Sequence, residues 1–553
     1  MPKLHSAAEL EQLRTDILAS RDAAKPCIAV CAGAACHGLD SLRLVSAFQE
    51  QISKHDLGAK LDIRATGCHG FCERGPNVVI GPSNICYFEV KPDDVADIVT
   101  HTVNGEVLGR LVYTDPATGQ KAIHLDEVPF YKQQTRLLIG DNIKIDPLRI
   151  DDYLALGGYA ALSKALFAMS PDQVVDEVKK SNLRGRGGGG FPAGLKWETA
   201  KNAPSEDRYV IVNGHEGEPG AFMDRALFTG NPHKVLEGLI IGAYAIGAHQ
   251  GFIYTRHDSP QLISHIERAL AQAEDYGLLG DDILGSGFRF TVELHFDVGI
   301  FVSGESSALM HSIEGHPPEP RPKYIRTSVA GIWDKPSNLN NVETWANVPQ
   351  IISRGADWYA SIGTERSKGT KLISLSGHVA NSGVVEVPMG TPLRTIVYDI
   401  GGGVAGGKPA KAVHLGGPMG GSIPQHLIDT PLDFDELAKL GAPIGAGGLI
   451  VMNEETNMVE VARYLLEYLT NESCGKCVPC REGLRQMLKI LTNITSGKGK
   501  SGDLAQLEDL SDITGAACLC ALGKTAPDPL RSMFRYFRDE YEARIAAGSA
   551  ANE

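Results

Sequence analysis

Cysteines gathered at the two ends of the 553-residue chain constrain its fold more than any other feature. The C-terminal set is a C-x2-C-x2-C run followed, after 39 residues, by a fourth cysteine: Cys474, Cys477, Cys480 and Cys520. The N-terminal set combines a four-residue and a three-residue gap: Cys31, Cys36, Cys68 and Cys72. Three thiolates in one small volume, closed by a distant fourth, match what an iron–sulfur cluster requires. The spacing therefore predicts two clusters in separate domains, and a protein that transfers electrons.

Structural zinc and disulfides are the alternatives for these cysteines. All-cysteine zinc sites usually pair two C-x2–4-C knuckles, and neither set follows that pattern. Disulfides are disfavoured because no secretory leader precedes residue 30 and a chain of this length needs no covalent staples. Iron–sulfur ligation is therefore the preferred interpretation.

The composition limits the class of protein. The hydrophobic content is 43%, the charged content is 22%, and the formal net charge is −14, which argues against nucleic acid as the main partner. The longest apolar run, residues 239–248, is about half a bilayer span and is interpreted as a buried helix. We expect a soluble, cytoplasmic chain whose membrane attachment, if any, comes from a partner.

Changes in residue pattern divide the chain into several predicted α/β and helical units. Apolar strands alternate with helices in the first unit and again in the central one, and 3–4 spacing of apolar residues marks the last as a helical bundle. The predicted units are residues 1–110, a small α/β domain; 111–135, a linker; 136–364, a layered α/β domain; 365–455, a compact α+β module; and 456–553, the bundle.

Two glycine-rich segments imitate nucleotide-binding motifs. The segment RGRGGGGFPAG contains G-x-G-x-x-G but follows a helical segment, so it lacks the strand that a Rossmann turn requires. The run from Gly402 to Lys408 resembles a P-loop, but Pro409 occupies the position of the metal-binding hydroxyl. The second segment is predicted to be a simple turn.

The first glycine segment still has the composition of a binding loop. Glycines let backbone N–H groups approach an anion, Arg184, Arg186 and Lys196 supply positive charge, and Phe191 and Trp197 offer stacking faces. A flexible surface loop is the alternative. The interleaving of basic and aromatic residues favours a phosphate-bearing aromatic cofactor.

Five motifs then carry a family resemblance over nearly the whole chain. In order, RGRGGGGFPAGLKW, NGHEGEPGAFMDR, GESSALMHSIEG, NLNNVETWANVP and ESCGKCVPCREG resemble the NADH-binding flavoprotein subunit of respiratory complex I and its relatives in NAD-linked hydrogenases and formate dehydrogenases. VCAGAACHGLDS and TGCHGFCERGP resemble the thioredoxin-like [2Fe-2S] protein of the same systems, here fused at the N-terminus. The resemblance implies FMN, NAD(H), one [4Fe-4S] and one [2Fe-2S] cluster, and a ubiquitin-like module of the SLBB type before the bundle.

Family roles transfer to this chain by motif. The residues that the resemblance assigns to FMN and nucleotide are Gly185, Arg186, Gly187, Gly188, Gly189, Gly190, Phe191, Gly194, Lys196, Asn213, Glu216, Glu218, Glu305, Ser306, Asn340, Asn341 and Thr344. His215 and Ser306 stand where the family commonly has carboxylates, so the local field at the flavin is expected to differ. The sequence CALG favours Cys520 over Cys518 as fourth cluster ligand, and Cys27, Cys86 and Cys518 are predicted to be packed thiols.

The function predicted from this resemblance is a diaphorase subunit that converts hydride transfer between NADH and FMN into single-electron transfer through the clusters. Its partners would be other redox subunits, such as a hydrogenase, a formate dehydrogenase or a bifurcating reductase module. The alternative is an electron-transfer adaptor that has lost NADH turnover, with His215 and Ser306 as its markers.

Overall fold

A computed structural model describes residues 3–116, 118–322 and 324–552, with side chains as far as residue 548. The outermost residues of the first and last predicted domains, 1–2 and 553, lie outside this range. The chain forms a multidomain α/β structure with three larger sheets. None of its described helices is long and apolar enough to cross a membrane.

The N-terminal unit is a four-stranded sheet with strand order β2-β1-β3-β4, in which only β1 and β2 run parallel. Val30, Phe48 and Ile98 form part of its core. The first helix does not belong to this core, because Leu10 packs with the hydrophobic residues of the central domain. The elements are α1 (Ala7–Ala19), β1 (Cys27–Cys31), α2 (Ala34–Gly38), α3 (Ser41–Lys54), β2 (Asp62–Thr66), β3 (Val78–Gly81), β4 (Ile85–Tyr87) and α4 (Val95–Asn104).

The segment predicted as a linker is structured and joins two domains. It contains the hairpin β5 (Tyr113–Thr114) and β6 (Lys121–Ala122) and the short helix α5 (Pro129–Lys132). Phe130 of α5 stacks on Phe71 of the second cysteine loop, with ring centroids 4.1 Å apart. Both rings are fully buried in a core that extends into the third domain.

The central domain contains a parallel sheet with strand order β10-β7-β8-β9. Its helix α11 covers the apolar run at 239–248 and is buried along almost its whole length, which confirms the prediction of a buried helix. The elements are α6 (Ile150–Ala155), α7 (Ala160–Ala168), α8 (Pro171–Lys180), α9 (Ala193–Asn202), β7 (Tyr209–Gly214), α10 (Met223–Gly230), α11 (Pro232–Ile246), β8 (Gln250–Thr255), α12 (Pro260–Asp275), β9 (Thr291–Phe296), α13 (Ser306–Ile313), β10 (Ser337–Asn341), α14 (Val342–Arg354) and α15 (Ala356–Ala360).

The third domain is a five-stranded mixed sheet with order β12-β11-β15-β13-β14. Its loop from Gly402 to Lys408 is a surface turn, with Lys408 paired to Glu455 at 2.6 Å. The elements are β11 (Thr370–Gly377), β12 (Gly383–Pro388), β13 (Ala410–Leu415), β14 (Gly421–Pro424), α16 (Phe434–Lys439) and β15 (Gly448–Asn453).

The C-terminal region is helical and its apolar faces meet in one core that includes Leu469, Leu484, Leu491 and Leu507. The last helix also contacts the third domain, where the backbone N–H of Ser422 donates to Ser532 Oγ at 3.0 Å. The helices are α17 (Met458–Asn471), α18 (Val478–Thr495), α19 (Asp503–Ala517), α20 (Ala521–Thr525) and α21 (Asp528–Asn552).

Candidate functional site

The central sheet reverses its winding between β7 and β10. Strands β8 and β9 extend the sheet on one side of β7, and β10 lies on the other. Asn213 and Asn341 are paired in register near the carboxyl ends of these two strands. Open parallel sheets bind ligands in the crevice at such a switch point. The sheet topology therefore brings the NGHEGEPG and NLNN motifs together.

The glycine loop between α8 and α9 closes over this crevice. Gly188 and Gly190 have φ values of +107° and +57°, which favour glycine. A Cβ on Gly187 would lie 3.0 Å from Asn341 Cβ, so the loop packs closely against the end of β10. Gly187 and Gly189 line a cavity of about 1170 Å³. The loop thus presents glycine backbone to the largest space at the switch point.

This cavity, called the switch-point cavity below, is enclosed by four parts of the chain: the glycine loop, the segment after β7, the start of α13 and the turn that begins α20. Among the residues predicted to bind cofactor, those that line it are Gly187, Gly189, Asn213, Glu216, Glu218, Glu305, Ser306 and Asn341. His215 also lines it, beside Asp224, Met419, Ala446, Ala521 and Leu522, which the sequence reasoning did not assign. Its volume lies at the upper end of the range of small-molecule sites.

The basic side chains of the glycine loop have structural partners. Arg184 pairs with Asp435 at 3.2 Å and lies 4.6 Å above the ring of Phe434. Arg186 is fully buried, and its guanidinium donates to Tyr359 Oη at 3.1 Å and to the carbonyl of Lys368 at 2.6 Å. These contacts brace the loop against α15 and the third domain instead of exposing charge to the cavity.

The other predicted residues outside the cavity lining support its walls. Lys196 Nζ donates to the carbonyl of Leu339 at 2.8 Å and to Asn340 Oδ1 at 3.3 Å. Thr344 Oγ1 accepts from the backbone N–H of Arg186 at 2.9 Å. Phe191 is 40% exposed, and the guanidinium of Arg326 lies 5.6 Å from its ring centroid. Gly185, Gly188, Gly190 and Gly194 shape the backbone on either side of Gly187 and Gly189.

Three acidic side chains of the cavity have different environments. Glu216 caps α10 by accepting from the backbone N–H groups of Asp224 and Arg225 at 2.9 and 3.0 Å. Glu305 caps α13 through the N–H groups of Ser307 and Ala308. Burial raises the pKa of Glu218 to about 7, and its Oε1 is buried with no hydrogen-bond partner in the described part of the chain. Glu218 is therefore the carboxyl best placed to meet a ligand.

A buried carboxylate lies behind the cavity wall and contacts two histidines. His215 Nε2 is 3.0 Å from Asp297 Oδ2, and His257 Nδ1 is 2.7 Å from Asp297 Oδ1. Burial alone would raise the pKa of Asp297, but hydrogen bonds with both histidines outweigh it and hold that pKa below its ordinary value. The sequence reasoning missed Asp297 and His257, because neither falls in a recognisable motif.

The C-terminal cysteines meet beside the switch-point cavity. Cys480 lies at the start of α18, and Cys520 precedes α20, whose first residues Ala521 and Leu522 line the cavity. The hydrogen bond with Cys518 lowers the pKa of Cys480 to about 7 and raises the pKa of Cys518. Burial raises the pKa of Cys520 to about 11. Five thiols, with Cys474 and Cys477, therefore lie near one another, including the one predicted to be a packed thiol.

The N-terminal cysteines also converge. Cys31, Cys36, Cys68 and Cys72 all line one small cavity of about 170 Å³. The thiols of Cys31 and Cys72 hydrogen-bond with Cys68, which raises the pKa of both and lowers the pKa of Cys68. The backbone N–H of Gly70 donates to Cys68 Sγ at 3.3 Å. The four predicted ligands thus form one buried cluster of thiols.

One helix separates this thiol cluster from the switch-point cavity. Asp224 of α10 faces the cavity, whereas the next residues, Arg225 and Ala226, line a groove of about 850 Å³ together with Cys68 and Cys72. The cavity therefore has one cysteine site directly in its wall and the other behind α10.

Comparison with known families identifies two matching regions. Residues 178–350 match the Nuo51 FMN-binding domain, and residues 460–544 match the NADH-ubiquinone oxidoreductase-F iron-sulfur binding region. The first region contains the glycine loop and both strand-end motifs, and the second contains the five C-terminal cysteines. The two matches therefore meet at the switch-point cavity.

Individual proteins resemble the chain over most of its length. It is 47% identical to the NADP-reducing hydrogenase protein HndC of Solidesulfovibrio fructosivorans, over 75% of this chain and 84% of that protein. It is 44% identical to the second F-type protein of the NADH-quinone oxidoreductase of Rhizobium meliloti (strain 1021), over 72% and 94%. A chain of an NAD+-reducing [NiFe]-hydrogenase, solved in the H2-reduced state, aligns with 98% of this chain and 90% of its own at 26% identity and a TM-score of 0.65.

Proposed function

This chain belongs to the family of the F-type proteins of NADH-quinone oxidoreductases, and from that membership we propose that it is the NADH-oxidising or NAD+-reducing diaphorase subunit of a larger redox complex. The observation that carries the proposal is the single cavity shared by the glycine loop, the strand ends of the switch point and the turn after Cys520. Bound FMN would exchange a hydride with NAD(H) and single electrons with iron–sulfur clusters.

The residues of the switch-point cavity fit FMN and a nucleotide. Gly187 and Gly189 leave room beside the backbone, where a Cβ at Gly187 would already touch Asn341. Asn213 and Asn341 offer amide groups at the strand ends, and Glu218 offers a buried oxygen that has no partner in the described residues. Together these features support a polar, phosphate-bearing ligand with an extended ring system.

The two cysteine sites fit the two clusters. Cys474, Cys477, Cys480 and Cys520 would hold the [4Fe-4S] cluster in the cavity wall, and Cys31, Cys36, Cys68 and Cys72 would hold the [2Fe-2S] cluster behind α10. The N–H of Gly70 would favour the more negative reduced state of the N-terminal cluster by donating to a ligand sulfur. Gly33 and Gly67, predicted to act in the same way, lie against Cys68 and Gly230 and serve close packing.

We assign the finer architecture by the same reasoning. Residues 1–110 would be a thioredoxin-like domain, 111–135 a linker, 136–364 the FMN and NADH domain, 365–455 a ubiquitin-like module and 456–553 a helical bundle. The exception is α1, which packs on the central domain. The partner would be a cytoplasmic hydrogenase, formate dehydrogenase or bifurcating reductase module. The 47% identity to a hydrogenase protein favours the first of these.

The proposal is tested on the purified chain reconstituted with FMN and both clusters. We expect NADH-dependent reduction of ferricyanide in the wild type, and loss of that activity together with flavin in Gly187→Val, because the added methyl groups would enter the contact with Asn341. Gly58→Val is the matched control, since nothing lies within 4 Å of a Cβ there. Flavin binding without NADH turnover in the wild type would instead support the adaptor function.

A further inference from the structure

The wall of the switch-point cavity contains an acidic group held between two histidines of opposite exposure. The side chain of His215 is fully buried, and Asp297 beside it is fully buried as well. His257, on the other oxygen of Asp297, has 53% of its side chain exposed. Asp297 also accepts the backbone N–H of His257 at 3.1 Å. One carboxylate thus connects an imidazole in the cavity wall with an imidazole in solvent.

His215 has a second ring nitrogen available to a ligand. Its Nδ1 is buried without a hydrogen-bond partner among the residues that the structure describes. The ring edge that carries Nδ1 faces Gly217 and Gly304, where a Cβ would approach within 2.7 and 2.8 Å of the ring. Both glycines line the switch-point cavity. A bulkier residue at either position would press on this edge, so the two glycines keep the space beside it free.

The electrostatic setting favours a positive charge on this imidazole. Asp297 is held in its ionised form by its two histidine contacts despite its burial. A buried carboxylate stabilises a protonated neighbour, and the pair is held at ion-pair distance. The other charged and titratable groups around it are Tyr254, whose ring stacks 6.5 Å away, Arg256 and Asp258, Tyr468 on the carbonyl of Gly217, and Glu216, Glu218, Asp224 and Glu305 across the cavity.

The proposed reaction requires a proton acceptor at this place. Oxidation of NADH gives NAD+, two electrons and one proton, and iron–sulfur clusters take only the electrons. We infer that His215 is the acid–base residue of the cavity: Nδ1 takes up that proton during NADH oxidation and returns it during NAD+ reduction. Asp297 is a positioning residue that stabilises the imidazolium, and His257 is a positioning residue that shares Asp297 from the solvent side. This inference rests on the proposed function.

The proton balance closes without another reactant. The proton that leaves the nicotinamide with its two electrons is accepted by the Nδ1 lone pair, and the electrons continue to the clusters. When the nucleotide leaves, water in the cavity removes the proton and His215 is neutral again. In the reverse direction His215 begins protonated, and water restores its proton after each turnover. Histidine suits this role because imidazole exchanges protons near neutral pH.

The test combines kinetics with a measurement that needs no turnover. His215→Gln, Asp297→Asn and His257→Gln are compared with the control His295→Gln, which lies two residues before Asp297 on β9 but pairs with the exposed Glu293. For His215→Gln we expect kcat for NADH oxidation to fall about tenfold or more, KM to change by less than about twofold, and the pH profile to flatten. Asp297→Asn should give a smaller loss, and the control none.

The second measurement is the pH dependence of hydrogen–deuterium exchange at the imidazole C2 position, read by mass spectrometry on the intact chain. We expect Asp297→Asn to move the exchange midpoint of His215 to lower pH and to leave that of His295 unchanged. His215→Asn, a smaller replacement, is used if the glutamine variant fails to retain flavin.

Two outcomes overturn the inference: wild-type kcat and pH profile in both His215 variants, or an unshifted His215 midpoint in Asp297→Asn. A wild-type chain without NADH turnover would refute the proposed function alone, because the exchange measurement would still report whether Asp297 controls His215.

Discussion

The two cysteine sites differ in how completely their residues determine the ligands. At the N-terminus four thiols line one small cavity, while Cys27 and Cys86 lie outside it in the strands β1 and β4. At the C-terminus five thiols gather, and Cys518 contacts Cys480 and Cys477 as closely as a ligand would. Spacing therefore identifies the ligands of the first site, whereas in the second it leaves two candidates for one position.

The sites also differ in what holds them in place. The C-terminal cysteines lie on α18, on α20 and in the turns that lead into them, within one helical core. The N-terminal loops are clamped from outside: Phe130 stacks on Phe71, Gly67 packs on Gly230, and the N–H of Val384 donates to the carbonyl of Gly70 at 2.8 Å. The N-terminal site thus depends on the rest of the chain more than a self-contained domain would.

The largest expected effect distinguishes the two candidates for the fourth C-terminal ligand. Cys520→Ser should abolish the [4Fe-4S] signal, and Cys518→Ser should leave it essentially unchanged, as measured by iron content and EPR of the reduced protein. Cys86→Ser, far from both sites in β4, is the control. Equal loss in the Cys518 and Cys520 variants would show that both thiols are needed. Loss in the Cys518 variant alone would reverse the assignment.

Sequence reasoning succeeded where function depends on short patterns. The cysteine sets, the glycine loop and the strand-end asparagines are contiguous motifs, and the structure brings them together. The individual role of Arg186 was not predictable, because its partners Tyr359 and Lys368 lie more than 170 residues further along the chain. The same reason applies to Asp297, which reaches His215 only through the register of a parallel sheet.

Domain boundaries were predictable only as far as packing follows the order of the chain. The strands and helices of residues 27–104 form the predicted small α/β unit. Helix α1 lies before this unit in sequence but packs on the central domain, where the backbone N–H of Leu4 donates to the carbonyl of Tyr276 at 3.0 Å. An amphipathic helix shows which of its faces is apolar but not which surface covers it.

A matched pair of glycine substitutions gives the next largest effect. A Cβ on Gly33 would lie 2.8 Å from Cys68 Cα and 2.7 Å from Cys68 Cβ, and the backbone atom cannot move without displacing a ligand. A Cβ on Gly523 would meet the side chain of Cys518, 2.7 Å from its Sγ. We expect Gly33→Ala to lose most of the two-iron signal and Gly523→Ala to retain the four-iron signal, because a thiol that is not a ligand can rotate away.

The control for this pair is the double variant Cys518→Ala with Gly523→Ala, which removes the clash altogether. It should match Cys518→Ala in iron content and in melting temperature. If Gly523→Ala instead loses the four-iron cluster, Cys518 is held in place by the metal, and the assignment of Cys520 fails by a route independent of the serine variants.

The smallest effect concerns the external support of the N-terminal site. Phe130 is fully buried and its ring stacks on Phe71 between the ligands Cys68 and Cys72, so Phe130→Ala leaves a cavity behind the cluster loop. We expect a loss of about 3 kcal/mol in the free energy of unfolding of the N-terminal region. Faster loss of the two-iron signal on mild heating should accompany it, with the four-iron signal unchanged. Phe167→Ala, whose ring is 48% exposed, is the control and should change stability by less than about 0.5 kcal/mol. If both iron signals decay together in Phe130→Ala, the two sites unfold as one unit, and the difference in their support does not extend to their stability.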